Sequence, residues 1–118
     1  MSIATTFRST LTGHSALTAL VGTAIAQNAV PDEMTFPLVV YALRIDTDLG
    51  LDGTNLGDRA DIAVQCWADE SDDAESVAAA VRGALATVPN NAIVISEQDG
   101  YDPDQKKHVQ TLNIVWMA

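Results

Sequence analysis

Acidic side chains are the most plentiful reactive groups in this chain, sixteen Asp and Glu against six Lys and Arg. Their first possible use is calcium ligation. An EF-hand loop needs oxygen donors at alternating positions and a closing Glu at position twelve. Counted from Asp46, the run Asp46, Asp48, Gly50, Asp52 reaches Gly57 at that position, so the closing carboxylate is missing. The turn containing Asp99, Asp102 and Asp104 lacks one as well. Turn formation accounts for both groups of Asp, and no metal is expected. Nucleophilic chemistry fares no better. His14 and His108 are the only imidazoles and Cys66 the only thiol. Cys66 falls on the apolar face of a predicted strand, the usual setting of an inert thiol. His14 follows a helix-ending glycine, and His108 stands on a strand beside Lys106 and Lys107. No Gly-x-Ser-x-Gly elbow, Gly-x-x-x-x-Gly-Lys loop or Gly-x-Gly-x-x-Gly loop occurs. The chain is expected to be no enzyme and to carry no cofactor.

Composition narrows the remaining classes. The 118 residues fit one domain, taken as residues 1–118, with 47% apolar and 19% charged residues. The formal net charge of −10 disfavours tight nucleic-acid binding, which needs a basic stripe. Solubility explains the acidity, and so does a surface that must repel an anion. A single cysteine excludes an internal disulfide framework and a cysteine zinc site. No apolar run approaches the roughly 18 residues of a membrane span, and no basic segment precedes an apolar core at the start. No membrane partner is expected, and the cytoplasm is the default compartment.

The elements that must position these groups follow from hydrophobic period. Ile3, Phe7 and Leu11 predict a helix over Ser2 to Leu11, and Leu17, Leu20 and Val21 a short second one closed by Gly22. Thr23 to Gln27 reads as a short strand. Phe36 to Asp46 is a strand apolar on both sides, and Arg59 to Ala68 alternates cleanly, Ala60, Ile62, Val64 and Cys66 on one face. Asp46 to Asp58 between them reads as a long acidic, Gly-rich loop whose Leu49, Leu51 and Leu56 meet a partner. Ser71 to Val88 is the best helix, capped by Ser71 or Asp72, with a small face of Ala79, Ala80, Gly83 and Ala84 open to another element. Ala92 to Gln98 and Lys107 to Met117 form a hairpin around an Asp99 to Asp104 turn. Trp67 and Trp116 stand near strand ends, either as core side chains or as anchors at an oligomer interface. The order predicts an α+β domain, a mostly antiparallel sheet of four or five strands with two main helices packed on one face.

Taken in order, these segments resemble the tail-completion or tail-terminator family of long-tailed phages and gene transfer agents. The resemblance runs from the first helix through Leu20-Val21-Gly22 and Ile25, then Phe36-Pro37-Leu38-Val39-Val40-Tyr41 and Val64-Gln65-Cys66-Trp67-Ala68. It continues along the helix carrying Ala74, Val77, Val81 and Leu85, and closes with Glu97, Tyr101-Asp102-Pro103 and Val115-Trp116. Ala26 stands where such proteins often carry an aromatic.

The resemblance implies a virion structural protein, made in the host cytoplasm, that assembles into a ring, commonly a hexamer. The ring caps the head-proximal end of the tail tube, stops its polymerisation and meets the head–tail connector protein. DNA passes through its lumen without specific binding. On that reading Asp46, Asp48, Asp52 and Asp58 are candidate lumen acids, and Leu49, Leu51, Leu56, Trp67 and Trp116 are candidate interface residues. A connector or stopper subunit, or a tail-tube protein, is the nearest alternative. A small host ligand-binding protein or enzyme is the more distant one.

Overall fold

The computed structural model describes residues 3–28, 35–49 and 55–117; along 46–49 and 55–58 the description is of the backbone. Three helices and five strands follow one another: α1 (Ile3–Thr12), α2 (Ser15–Val21), β1 (Ile25–Gln27), β2 (Leu38–Leu49), β3 (Asn55–Ala68), α3 (Ser71–Leu85), β4 (Ala92–Asp102) and β5 (Lys107–Met117). The strands form one sheet in the order β1-β2-β3-β5-β4. β1 runs parallel to β2, and the other pairs are antiparallel. This is an α+β fold with its helices packed against the sheet.

Alternation on the strands decides which face the helices cover. Ala60, Ile62, Val64 and Cys66 are buried on β3, while Ala63 and Gln65 between them are exposed. β5 repeats the rule through Leu112, Ile114 and Trp116. Onto this face α1 sets Phe7 and Leu11, α2 sets Leu17, and α3 sets Val77, Ala78, Val81 and Ala84. Phe7 meets Tyr41 and Trp116 edge to face, with ring centroids 5.2 and 5.8 Å apart, the geometry aromatic quadrupoles favour. The opposite face of the sheet carries no helix among the described residues.

Glycines serve two distinct purposes here. Gly22 closes α2 with φ 61°, and its N–H bonds the Thr18 carbonyl at 2.8 Å; side-chain-bearing residues rarely adopt that backbone. Gly83 leaves room for His14, whose Nε2 would lie 3.2 Å from a Cβ placed there. The small face of α3 is thus largely internal. Ala80 and Ala84 are buried in the core, His14 covers Gly83, and Ala79 remains exposed.

Four boundaries differ from the sequence-based expectation. The Asp46 to Asp58 stretch is no long loop: Asp46 pairs with Arg59, Thr47 with Asp58, Asp48 with Gly57 and Leu49 with Asn55. A ladder established by apolar β2 and β3 gains a hydrogen bond with each further pair, which overrides the weak strand preference of Asp and Gly. For the same reason β4 runs on through Asp99 to Asp102, opposite Gln110 to Lys107. The true turn begins at Asp102, whose Oδ1 accepts from the backbone N–H groups of Asp104 at 3.0 Å and Gln105 at 3.3 Å. The N-cap of α3 is Glu70, without a side-chain cap bond, rather than Ser71 or Asp72. α3 ends at Leu85, and Thr87 and Val88 close it with three-residue-spaced bonds to Ala84 and Leu85.

Phe7→Ala empties a site shared by Tyr41 and Trp116 and should cost about 3–5 kcal/mol of stability. Ile93→Ala, on the exposed face, should stay within about 0.5 kcal/mol. Urea unfolding of both variants checks the contrast.

Candidate assembly surfaces

The face of the sheet away from the helices holds a wide-mouthed hollow of about 490 Å³ lined by Ala42, Arg44, Asp61, Ala63, Ile95 and Asn113 among others. Two of its polar groups bond one another and a third has a charged neighbour. Asn113 Nδ2 donates to Ser96 Oγ at 2.9 Å, and Arg59 lies 3.5 Å from Asp61. A ligand or catalytic pocket encloses its ligand, and this hollow is wide open.

Exposed apolar side chains gather at one end of the sheet. Ile45 is 52% exposed, Ile93 58%, Ile95 62% and Met117 48%. The pairing puts them in neighbouring rows. Ile45 is level with Ala60, Trp116 and Ala92, and the adjoining row runs Arg44, Asp61, Val115, Ile93. A register shift between Val94 and Ser96 makes Ile95 the extra residue of a bulge. Sequence alternation places Ile93 and Ile95 on one strand, but a bulge has no signature here that would have revealed the exposed band.

The opposite end of the sheet is acidic. Asp72 and Asp73 occupy the first turn of α3, where the helix dipole favours negative charge. The β4–β5 turn adds Asp102 and Asp104. Lys107 pairs with Asp69, and its Nζ also lies 4.7 Å over the Phe36 ring. Between the two ends Arg82 of α3 reaches across to Glu97 of β4, which also accepts from Gln110 Nε2 at 3.1 Å. Cys66 lies beneath this group. Burial first, then the negative charge of Glu97, pushes its thiol up to about 12, with Arg82 opposing. It stays protonated at neutral pH and is no nucleophile. Among the described residues no three His, Cys, Asp or Glu side chains gather to hold a metal ion, and no helix is long and apolar enough to cross a membrane.

The sequence-predicted interface residues separate. Trp116, 2% exposed, is a core side chain set edge to face against Phe7. The aromatic cluster on the helix side of the sheet claims it. Trp67 is half-buried near the end of β3, with Nε1 donating to Gln65 Oε1 at 3.3 Å. Leu49 and Leu56 are strand positions on β2 and β3, as are the candidate acids Asp46, Asp48 and Asp58; their side chains, and Leu51 and Asp52 altogether, lie outside the described residues.

Comparison with known proteins is consistent with a structural role for these surfaces. The profile of the family described as Tail completion protein gp17 matches residues 6–118. The chain belongs to the tail completion protein family. It is accordingly a structural protein of the phage tail rather than a member of an enzyme family. A chain from a structure described as "Virion of native gene transfer agent (GTA) particle" has the same fold, with a TM-score of 0.69 and 20% identity over 94% of this chain and 90% of that one. No curated protein is similar enough to match.

Cys66 generates a pH prediction. Between the ordinary thiol value of 9.0 and about 12 the unfolded chain has lost a proton that the native chain retains. Stability should therefore be unaffected below pH 9 and fall as pH rises above it, by at most about 1.4 kcal/mol per pH unit. Urea titrations of the wild type and Cys66→Ala at pH 8 and 10.5 check this, the variant lacking that part of the alkaline loss.

Proposed function

We propose that this protein is a tail terminator: a ring, most simply a hexamer, at the head-proximal end of the tail tube. It stops tube polymerisation and joins the tube to the head–tail connector protein. The family match over residues 6–118 carries the reading. A sheet covered by helices on one face only, among the described residues, supports it, because such a sheet leaves a face for neighbours.

Charge supports the same reading. Six copies at −10 each would bring roughly sixty formal negative charges together. A lumen lined by acids repels DNA phosphates, so the duplex slides through without being held. Asp46, Asp48, Asp52 and Asp58 are the proposed lumen acids. Leu49 on β2, Leu56 on β3 and Leu51 between them in sequence are proposed to touch a neighbouring subunit or the tube. Trp67, half-buried near the far end of β3, is proposed to lie at a subunit boundary.

Light scattering on the protein alone, then with tail-tube protein, tests the proposal. A closed ring, or a monomer that becomes a ring on tube ends, is expected. A monomer indifferent to the tube would overturn the reading, and long cylinders from the protein alone, seen by electron microscopy, would make it a tube subunit. Replacing Leu49, Leu51 and Leu56 together by Ser should weaken assembly and leave the monomer folded by circular dichroism; unchanged assembly would remove the hairpin from the interface.

A further inference from the structure

β4 is the outermost strand on its side of the sheet, and it pairs only with β5. Beyond the bulge at Ile95 the ladder is regular: every residue from Ser96 to Asp102 pairs in turn with Asn113 to Lys107. That stretch is at least as long as an ordinary strand of roughly 5–6 residues. Ser96 to Tyr101 are exposed, and the outer side of this stretch has no ladder partner among the described residues. Sheet edges are usually protected against strand addition by a lysine, a proline, a bulge or a covering element. Ser96 to Asp102 contains no Lys and no Pro, and its pairing has no bulge. Its charged residues are Glu97, Asp99 and Asp102.

These acids decide which strand can add. Arg82 holds Glu97, and the backbone of the turn holds Asp102. Asp99, between them, makes no hydrogen bond or ion pair among the described residues. An acid on an edge repels another acidic strand and, for the same reason, attracts a basic one. A second copy of this chain has little to offer it. Of six basic side chains, Arg8 bonds the Ile25 carbonyl, Arg59 pairs with Asp61, Arg82 with Glu97 and Lys107 with Asp69, and Arg44 is engaged as well. Lys106 remains, in the β4–β5 turn two residues from Asp104. Adding β4 to β4 across a twofold centred on Asp99 would set that acid opposite itself. The complementary cations are therefore those of a different protein.

Gly100 supplies the other half of the match. It is level with Val109 and Trp67, on the face without helices. A Cβ there would meet Val109 Cγ1 at 3.4 Å, an ordinary contact, and the backbone is not left-handed. Neither space nor φ within this chain calls for glycine. Glycine inside a strand often marks the close approach of another backbone. Its missing side chain leaves a gap at the edge that a large residue of an added strand can fill. We propose that Ser96–Asp102 is a strand-addition site for an extended basic segment of a different protein. That segment sets a Lys or Arg beside Asp99 and, next in sequence, a large side chain beside Gly100. Asp99 and Gly100 face opposite sides of the sheet, so the alternation of one strand serves both. The inference goes beyond the terminator reading and does not depend on a ring.

A capped peptide, Thr-Lys-Tyr-Lys-Thr-Lys-Thr, is the probe, followed on the whole protein by NMR titration and amide hydrogen exchange. At about ten times its Kd, alternate amides of Ser96–Asp102 should exchange about tenfold more slowly, because the outward N–H groups become bonded. The peptide with Glu in place of Lys, and the Lys peptide N-methylated at every residue, should give no such protection. Asp99→Lys should weaken the Lys peptide about tenfold, whereas Asp72→Lys, the same charge change away from the edge, should alter it less than about twofold. No binding at millimolar peptide, or slowing confined to other segments, would overturn the proposal. Equal protection by the Glu peptide would overturn the basic partner. Equal binding of the N-methylated peptide would overturn strand addition and leave charge attraction alone. If Asp99→Lys does not fold, the three peptides on the wild type decide the matter. The terminator reading is tested separately, by light scattering with tail-tube protein, and stands or falls independently of these outcomes.

Discussion

The antiparallel ladder along β3 is the constraint on which the rest of the molecule depends. This strand pairs with β2 from Asn55 to Trp67 and with β5 from Arg59 to Ala68. Its alternation fixes one buried face, and a slip of one residue would turn Ile62, Val64 and Cys66 to solvent and Ala63 and Gln65 to the core. The helices have no independent claim on their positions. α2 has seven residues, too few to persist alone, and α1 has ten. Phe7 and Leu17 hold them against the face that β3 defines.

The same ladder explains what could be read from sequence and what could not. Apolar period located α1, α3 and the strands, because Ile3, Phe7 and Leu11 or Ala60, Ile62 and Val64 each lie on one buried face. Residue preference failed where cooperativity decided. Asp46 to Leu49 and Asp99 to Asp102 have the composition of turns, yet they extend strands already in register. Capping failed for a related reason. Ser71 has the right chemistry for an N-cap, but the backbone is already helical there and Glu70 takes the position. Of the candidate interface residues, Trp116 was ambiguous because a tryptophan near a strand end looks the same whether it points at a core or at a neighbour. Only the strand's pairing, which puts Trp116 in line with Ala60 on the helix side, separates the two.

Edges were the least legible part. No single residue announces that β1 stops at Gln27 while β2 continues to Leu49. That difference is a property of two strands compared, and among the described residues β1 pairs with β2 only along Val39 to Tyr41. The bulge at Val94–Ser96 has the same character. It strengthens local twist and frees Ile95 from the regular ladder. Bulges commonly guard an edge, but this one lies beside exposed Ile93 and Ile95 and has no lysine near it, so as protection it is weak.

The proposed ring requires an acidic chain to overcome its own repulsion. At −10 per copy the long-range field opposes association, although salt limits its reach to about 8 Å at physiological ionic strength. Contact can win only where charge is locally absent and short-range forces act. The segments Ala42–Ile45 and Ala92–Ile95 carry no acid, and Arg44 is their one charged residue. The acids flank this band on both sides, along Asp46 and Asp48 beyond one end and Glu97, Asp99 and Asp102 beyond the other. In the proposed ring, short-range forces would act at such acid-free stretches, while the flanking charge would penalise alignments that bring acids together. One composition would then serve two demands in the ring: net charge that holds separate copies apart, and acid placement that restricts the alignments in which they join.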